Sequence, residues 1–171
     1  KEISFVMTQN APVYGLGEQV RGINKRGWLY ISNCTDDPNH REDTHSLYAA
    51  HNFLLFAEKE PFGIFFDNSG KVSFDIGYTR QDTVKITMES WDMDLYVIDG
   101  KDLLDIVRQF RHMIGRSYIP PKWAFGFGQS RWGYKTAEDI REVERRYREL
   151  GIPLDSIYLD IDYMERFKDF T

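Results

Sequence analysis

The sequence predicts two dissimilar architectures in one chain: an antiparallel β-sandwich or barrel over its first ninety-odd residues, and a parallel βαβ unit near its end. Three observations carry this expectation. Short β-rich runs recur before residue 100, with Gly, Asp and Asn between them as turns require. The hydrophobic period then becomes helical, and Pro120-Pro121 punctuates the chain. Beyond that point an apolar run, a capped helical segment and a second β-rich run follow in order, the grammar of a crossover between parallel strands.

Taken in order, residues 62–66, 71–75, 83–87 and 94–98 read as strands, and Trp91-Asp-Met-Asp94 reads as part of the last. Between the earlier strands lies a polar segment, 32–43, with one Pro; it is long for a hairpin, and loops of about a dozen residues are often functional. Over 101–112 the residues Leu103, Leu104, Ile106, Val107 and Phe110, with Met113 beyond, fall at helical spacing, and Gly115 provides a stop. Residues 123–129 show almost no polar alternation, which predicts a parallel strand covered on both faces. Thr136 with Asp139 three positions on is a variant of the capping box. Ile140, Val143, Tyr147 and Leu150 form the stripe of the helix it opens, and Gly151 closes it. Residues 157–164, IYLDIDYM, read as the second parallel strand.

Composition narrows the function classes. The 171 residues are 42% hydrophobic and 29% charged, enough to bury a core, and 15% aromatic, enough for rings to serve as ligand platforms as well. A net charge of −5 without a Lys/Arg cluster argues against nucleic acid. No run reaches the ~18 apolar residues of a membrane span. Cys34 is the one cysteine, so no disulfide forms within the chain, which fits a reducing compartment. His40, His45 and His51 with Cys34 do not match zinc-ligand spacings, so no metal is expected. Gly126-Phe-Gly128 lacks the third glycine and the ribose carboxylate of a dinucleotide turn. The sequon Asn33-Cys34-Thr35 is of a kind that arises often by chance.

The chemistry concentrates in IYLDIDYM. Strand alternation sends Ile157, Leu159 and Ile161 to one face and Tyr158, Asp160 and Asp162 to the other. In a barrel of parallel strands the second face points inward, and both aspartates fall toward the C-terminal rim where such barrels keep their sites. A carboxylate placed there needs partners. Sugar hydroxyls suit, since they donate hydrogen bonds and carry no charge; arginines on neighbouring strands, or a loop-capping role for Asp162, would satisfy the same need. The first parallel strand ends in Gln129, Ser130, Arg131 and Trp132. Trp132 could stack on a sugar face or simply pack, and Arg131 could neutralise carboxylates. Two adjacent strands ending in such residues suggest a polar, aromatic-walled pocket.

Four stretches, Tyr14-Gly-Leu-Gly-Glu18, Tyr118-Ile-Pro-Pro-Lys-Trp123, Gly128-Gln-Ser-Arg-Trp132 and Ile152-Pro-Leu-Asp-Ser-Ile-Tyr-Leu-Asp-Ile-Asp162, resemble glycoside hydrolase family 31 in content and order. The likeness is to bacterial α-glucosidases, and a cytoplasmic location is the expectation. The resemblance implies a β-sandwich over 1–117, with a substrate-lid loop near 32–45, followed over 118–171 by the start of a (β/α)8 TIM barrel. Two strands of eight cannot close a barrel, so the chain reads as part of a longer enzyme. The resemblance further implies a retaining, exo-acting α-glucosidase for terminal α-linked glucose, of α-1,6 as well as α-1,4 type. Its nucleophile and acid/base aspartates lie on later strands, and it takes no cofactor. The substrate-binding residues carried over are Asp160, Trp132, Asp36, Arg131 and Asp162; Asp36 belongs to the lid, with Asp37 adjacent, and Trp132 borders the leaving-group side. The partner implied is an oligosaccharide or disaccharide, with neither nucleic acid nor membrane, and homo-oligomerisation is left open. An α-xylosidase of the same family and a non-catalytic carbohydrate-binding module are the alternatives.

Overall fold

Eight strands in the first 116 residues assemble into two four-stranded antiparallel sheets, in a computed structural model that describes residues 1–171. They are β1 (Glu2–Val6), β2 (Val13–Gly15), β3 (Trp28–Ser32), β4 (Phe53–Phe56), β5 (Phe62–Asp67), β6 (Val72–Ile76), β7 (Thr83–Met88) and β8 (Asp94–Asp99). One sheet runs β1-β7-β6-β3 and the other β2-β4-β5-β8. The alternation that builds them is plain in β7, where Val84, Ile86 and Met88 are buried while Lys85 and Thr87 face solvent. Register places Phe74 opposite Ile86 and Ile76 opposite Val84, so β-branched and aromatic side chains meet across strands. The inner faces share one core: Val72, Phe74, Ile76, Val84 and Ile86 from the first sheet, and Val13, Leu54, Phe56, Ile64 and Phe66 from the second. This is the expected sandwich.

The helical period gives α1 (Leu103–Ile114), capped by Asp102, whose carboxylate accepts from the Asp105 amide at 2.7 Å. It lies on the outer face of the second sheet. Ile106 and Phe110 are buried there with Phe53 and Ile98, and the Phe53 and Phe110 rings stack with centroids 3.9 Å apart. Leu104 and Met113, expected in the same stripe, remain exposed, because one sheet covers only one side of the helix. Trp91-Asp-Met-Asp94 is a correction: residues 91–93 form the turn before β8, closed by a Met93 amide bond to the Trp91 carbonyl.

The second compact unit spans Ser117–Thr171. It contains β9 (Gly128–Ser130), α2 (Ala137–Glu149) and β10 (Ser156–Tyr158), and β10 pairs with β9 in parallel, as the crossover grammar requires. Two expectations need correction. Residues 123–129 are not one strand: Lys122–Phe125 is a 3₁₀ turn, and pairing begins at Gly128. The cause is tertiary: Asp155, 28 residues away, accepts the Phe127 amide at 3.1 Å and its carboxylate occupies the space a side chain on Gly126 would need, so this backbone is engaged by Asp155 before strand pairing begins. Nor is 157–164 one strand. Pairing stops at Tyr158, and Asp160 has φ +63, a left-handed conformation that Asp tolerates better than most residues.

The α2 capping box is present in full: Thr136 Oγ1 accepts from the Asp139 amide while Asp139 Oδ2 accepts from the Thr136 amide at 2.8 Å. Gly151, at φ +66, ends the turn beyond it. Tyr134 and Leu154 are the only buried residues in this unit, since two strands and one helix enclose little. No helix of either unit is long and apolar enough to cross a membrane.

Candidate active-site mouth and loop

Two groups of residues concern the predicted site, one in each unit. In the first unit, the segment between β3 and β4 is a long excursion pinned at several points. Its outward limb is tied to its return by the Thr35 amide donating to the Leu47 carbonyl at 2.9 Å and by the Ile31 amide donating to the His45 carbonyl at 2.8 Å. Further along, Glu18 Oε2 accepts from the Ala49 amide at 3.1 Å. Glu18 ends the Gly15-Leu16-Gly17 turn, in which all three residues have positive φ and the Leu16 amide reaches the Phe53 carbonyl at 2.9 Å. The Tyr14–Glu18 motif thus acts as an anchor for the return limb of the loop. At the roots of the loop Ser32 and Asn52 are hydrogen-bonded, and with Asn68, whose carbonyl accepts from the Asn52 side-chain amide, they line a polar cleft of about 470 Å³.

The loop separates its two adjacent acids. Asp37 Oδ1 accepts from the Asn39 amide at 2.9 Å, an Asx turn that engages its carboxylate. Asp36 is exposed and its side chain has no hydrogen-bond or ion-pair partner. Beside them lies Tyr48, half exposed, with its ring edge-on to His40 at 5.5 Å between centroids. Partial desolvation and then the carboxylates of Asp36, Asp37 and Glu18 hold the Tyr48 phenol above its ordinary pKa. Sequence reasoning passed over Tyr48; an aromatic in a polar loop was the available signal.

In the second unit, alternation along β9 is decided by Gln129. Its side chain meets the helix side, accepting from Tyr147 Oη at 2.5 Å and donating to Tyr134 Oη at 3.2 Å. Gly128 and Ser130 therefore share the opposite face with Ser156 and Tyr158, their partners in register. A Cβ on Gly128 would press on Ser156 and Tyr158, so glycine there allows the strands their side-chain contact. This places Gln129 away from the mouth where the sequence had grouped it.

Past the strand ends the predicted residues separate. Trp132, 72% exposed, donates its indole N–H to Asp162 Oδ1 at 3.0 Å. Asp162 is half-buried and pairs with no cation. Arg131 does not neutralise either aspartate: its guanidinium lies over the Tyr134 ring, 5.9 Å from the centroid, along a cleft that Glu138, Asp139 and Glu142 also line. Asp160 is exposed and has no hydrogen-bond or ion-pair partner. The rim after β9 and β10 thus presents one indole ring fixed by a carboxylate and one carboxylate that is unengaged.

Comparison with known proteins gives consistent matches for both units. The model for the glycosyl hydrolase 31 N-terminal galactose mutarotase-like domain matches residues 1–75, and that for the glycosyl hydrolases family 31 TIM-barrel domain matches residues 117–171. Alpha-glucosidase 2 of Bacillus thermoamyloliquefaciens is 38% identical over 160 residues, covering 92% of this chain and 20% of that protein. Human intestinal sucrase-isomaltase is 35% identical over 164 residues, covering 93% of this chain and 9% of that protein. The GH31 dextranase of Flavobacterium johnsoniae, solved in complex with isomaltotriose, superposes with a TM-score of 0.88 at 30% identity, covering 96% of this chain and 20% of that one. This chain therefore spans a fifth or less of the length of each of these proteins.

Proposed function

The chain belongs to glycoside hydrolase family 31, and on that premise we propose that it is the N-terminal portion of a retaining, exo-acting α-glucosidase that removes terminal α-linked glucose from oligosaccharides, α-1,6 as well as α-1,4 linked. The observation that carries this reading is that the unengaged carboxylate of Asp160 and the carboxylate-bound ring of Trp132 each lie two residues past the C-terminal end of one of two paired parallel strands. In a parallel barrel that end is where ligands bind. A carboxylate oxygen left unengaged within this chain is suited to accept hydrogen bonds from sugar hydroxyls, and charge-assisted bonds are the stronger kind.

Retention of configuration requires two further carboxyls about 5–5.5 Å apart across the scissile bond. We assign these to strands later in the barrel. The roles of this chain are then to bind and orient. Asp160 holds hydroxyls of the sugar in the cleaved-residue subsite, and Trp132 walls the leaving-group side. Asp36, free where Asp37 is engaged in a turn, is the lid-loop residue suited to reach the substrate, with the Tyr48 ring in the same loop edge-on to His40.

The test uses the full-length enzyme and p-nitrophenyl α-glucoside. Asp160→Ala is expected to lower kcat/KM by about 2–4 kcal/mol in transition-state stabilisation, the scale of losing one preorganised electrostatic partner. A near-normal kcat/KM in that variant ends the assignment. Side-by-side rates on an α-glucoside and an α-xyloside decide which sugar is cleaved, since xylose lacks the C6 hydroxymethyl group.

A further inference from the structure

The Trp132–Asp162 pair carries more than a wall for a pocket. Both residues lie in loops, two positions past the end of β9 and four past the end of β10. Trp132 is 72% exposed within this chain, and its indole N–H is held by Asp162 Oδ1 at 3.0 Å. An indole has a single donor, so one hydrogen bond to a carboxylate defines the ring's orientation in a way that apolar contact would not. Within the chain Asp162 makes no ion pair, and Arg131 is turned over Tyr134 instead. Gly133, adjacent to Trp132, has φ +111, a backbone conformation that favours glycine, and it lies beside Asp162, whose Oδ2 would be in ordinary contact with a Cβ at 3.9 Å.

We propose that Asp162 is a positioning residue: it holds the Trp132 indole at one angle across the mouth and through it sets how the enzyme discriminates between leaving groups of different linkage. This rests on the sugar-site reading given above. It gives Asp162 a role beyond the direct substrate contact that the resemblance implied, because its Oδ1 accepts from the Trp132 indole.

The experiment measures kcat/KM for isomaltose and maltose with the full-length enzyme. Asp162→Ala is expected to change the isomaltose-to-maltose ratio by about 3–10-fold, the span of a net hydrogen bond to a charged group reduced by exposure. Asp162→Asn, whose amide oxygen still accepts, should restore most of the wild-type ratio. Trp132→Phe removes the donor and should move the ratio in the same direction as Asp162→Ala. In the Trp132→Phe background Asp162→Ala should then change it no further. An unchanged ratio in Asp162→Ala, or an equal shift in both backgrounds, overturns the proposal. If Asp162→Ala does not fold, Trp132→Phe with and without Asp162→Asn reads the same bond: a ratio unmoved by Trp132→Phe overturns it as well. Full activity in Asp160→Ala would instead remove the sugar-site reading, a result distinct from loss of coupling between positions 132 and 162.

Discussion

Asp160 shows how one dihedral can matter as much as one charge. Its φ of +63 turns the chain out of β10, and the carboxylate that follows from this turn is unengaged. Left-handed backbone at a non-glycine residue costs of order 1–3 kcal/mol and is found preferentially at functional positions. The side chain and the backbone can be separated by substitution. Asp160→Asn keeps both shape and tolerance of that region, so thermal stability should match wild type while kcat/KM falls. Asp160→Gly should be at least as stable as wild type and equally impaired. Equal activity of Asp160→Asn and wild type, measured at saturating and limiting substrate, would show that the charge is not used. Gly15 is the complementary case, a backbone position that no side chain can occupy. At φ +123 its Cβ would overlap the Phe53 carbonyl, so Gly15→Ala is expected to lower unfolding free energy by about 2–3 kcal/mol in denaturant titration.

At the scale of elements, helix α2 begins where its first turn is chemically satisfied. The Thr136 amide and hydroxyl, and then the Lys135 amide, donate to the Asp139 carboxylate and hold its pKa below the usual carboxylate value. Because the folded pKa is depressed, this contribution is present above the unfolded value and is lost as pH falls through the folded one. Amide exchange protection in the first turn of α2 should therefore differ between wild type and Asp139→Asn near neutral pH, and converge only once the pH has fallen well below the ordinary carboxylate value of about 4. Thr136→Ala should cost the helix about 1 kcal/mol, read from the same amides. The loop between β3 and β4 depends on its anchor in the same way. Glu18→Ala removes the acceptor for the Ala49 amide, and proteolysis within 33–48 should be faster than in wild type, with the sandwich strands protected as before. Equal cleavage rates would show that the Glu18 contact does not restrain the loop.

For the whole molecule, the two units differ in how much apolar surface they enclose. The sandwich places Tyr30, Phe56, Phe66 and Phe74 fully out of solvent, whereas Trp123, Phe125, Phe127 and Ile119 stay exposed in the second unit. Expressed as residues 1–171, the chain should show slow hydrogen exchange in β5, β6 and β7 and fast exchange throughout β9 and β10, measured by mass spectrometry. Comparable protection in the two units would contradict this account. The same contrast explains which features were legible beforehand. Local pattern was enough for β5 to β8, for α1 with its Gly115 stop, for α2 with its capping box, and for the parallel order of β9 and β10, because side-chain alternation, capping and crossover rules are local. The family resemblance was likewise written in short ordered motifs. Local pattern could not show that β10 ends at Tyr158, that Gln129 turns toward Tyr147, or that Asp37 is spent on a turn while Asp36 is not. Nor could it show that Asp162 meets Trp132 thirty residues away. Those outcomes depend on which polar group finds a partner first in three dimensions, and sequence spacing carries no record of that competition.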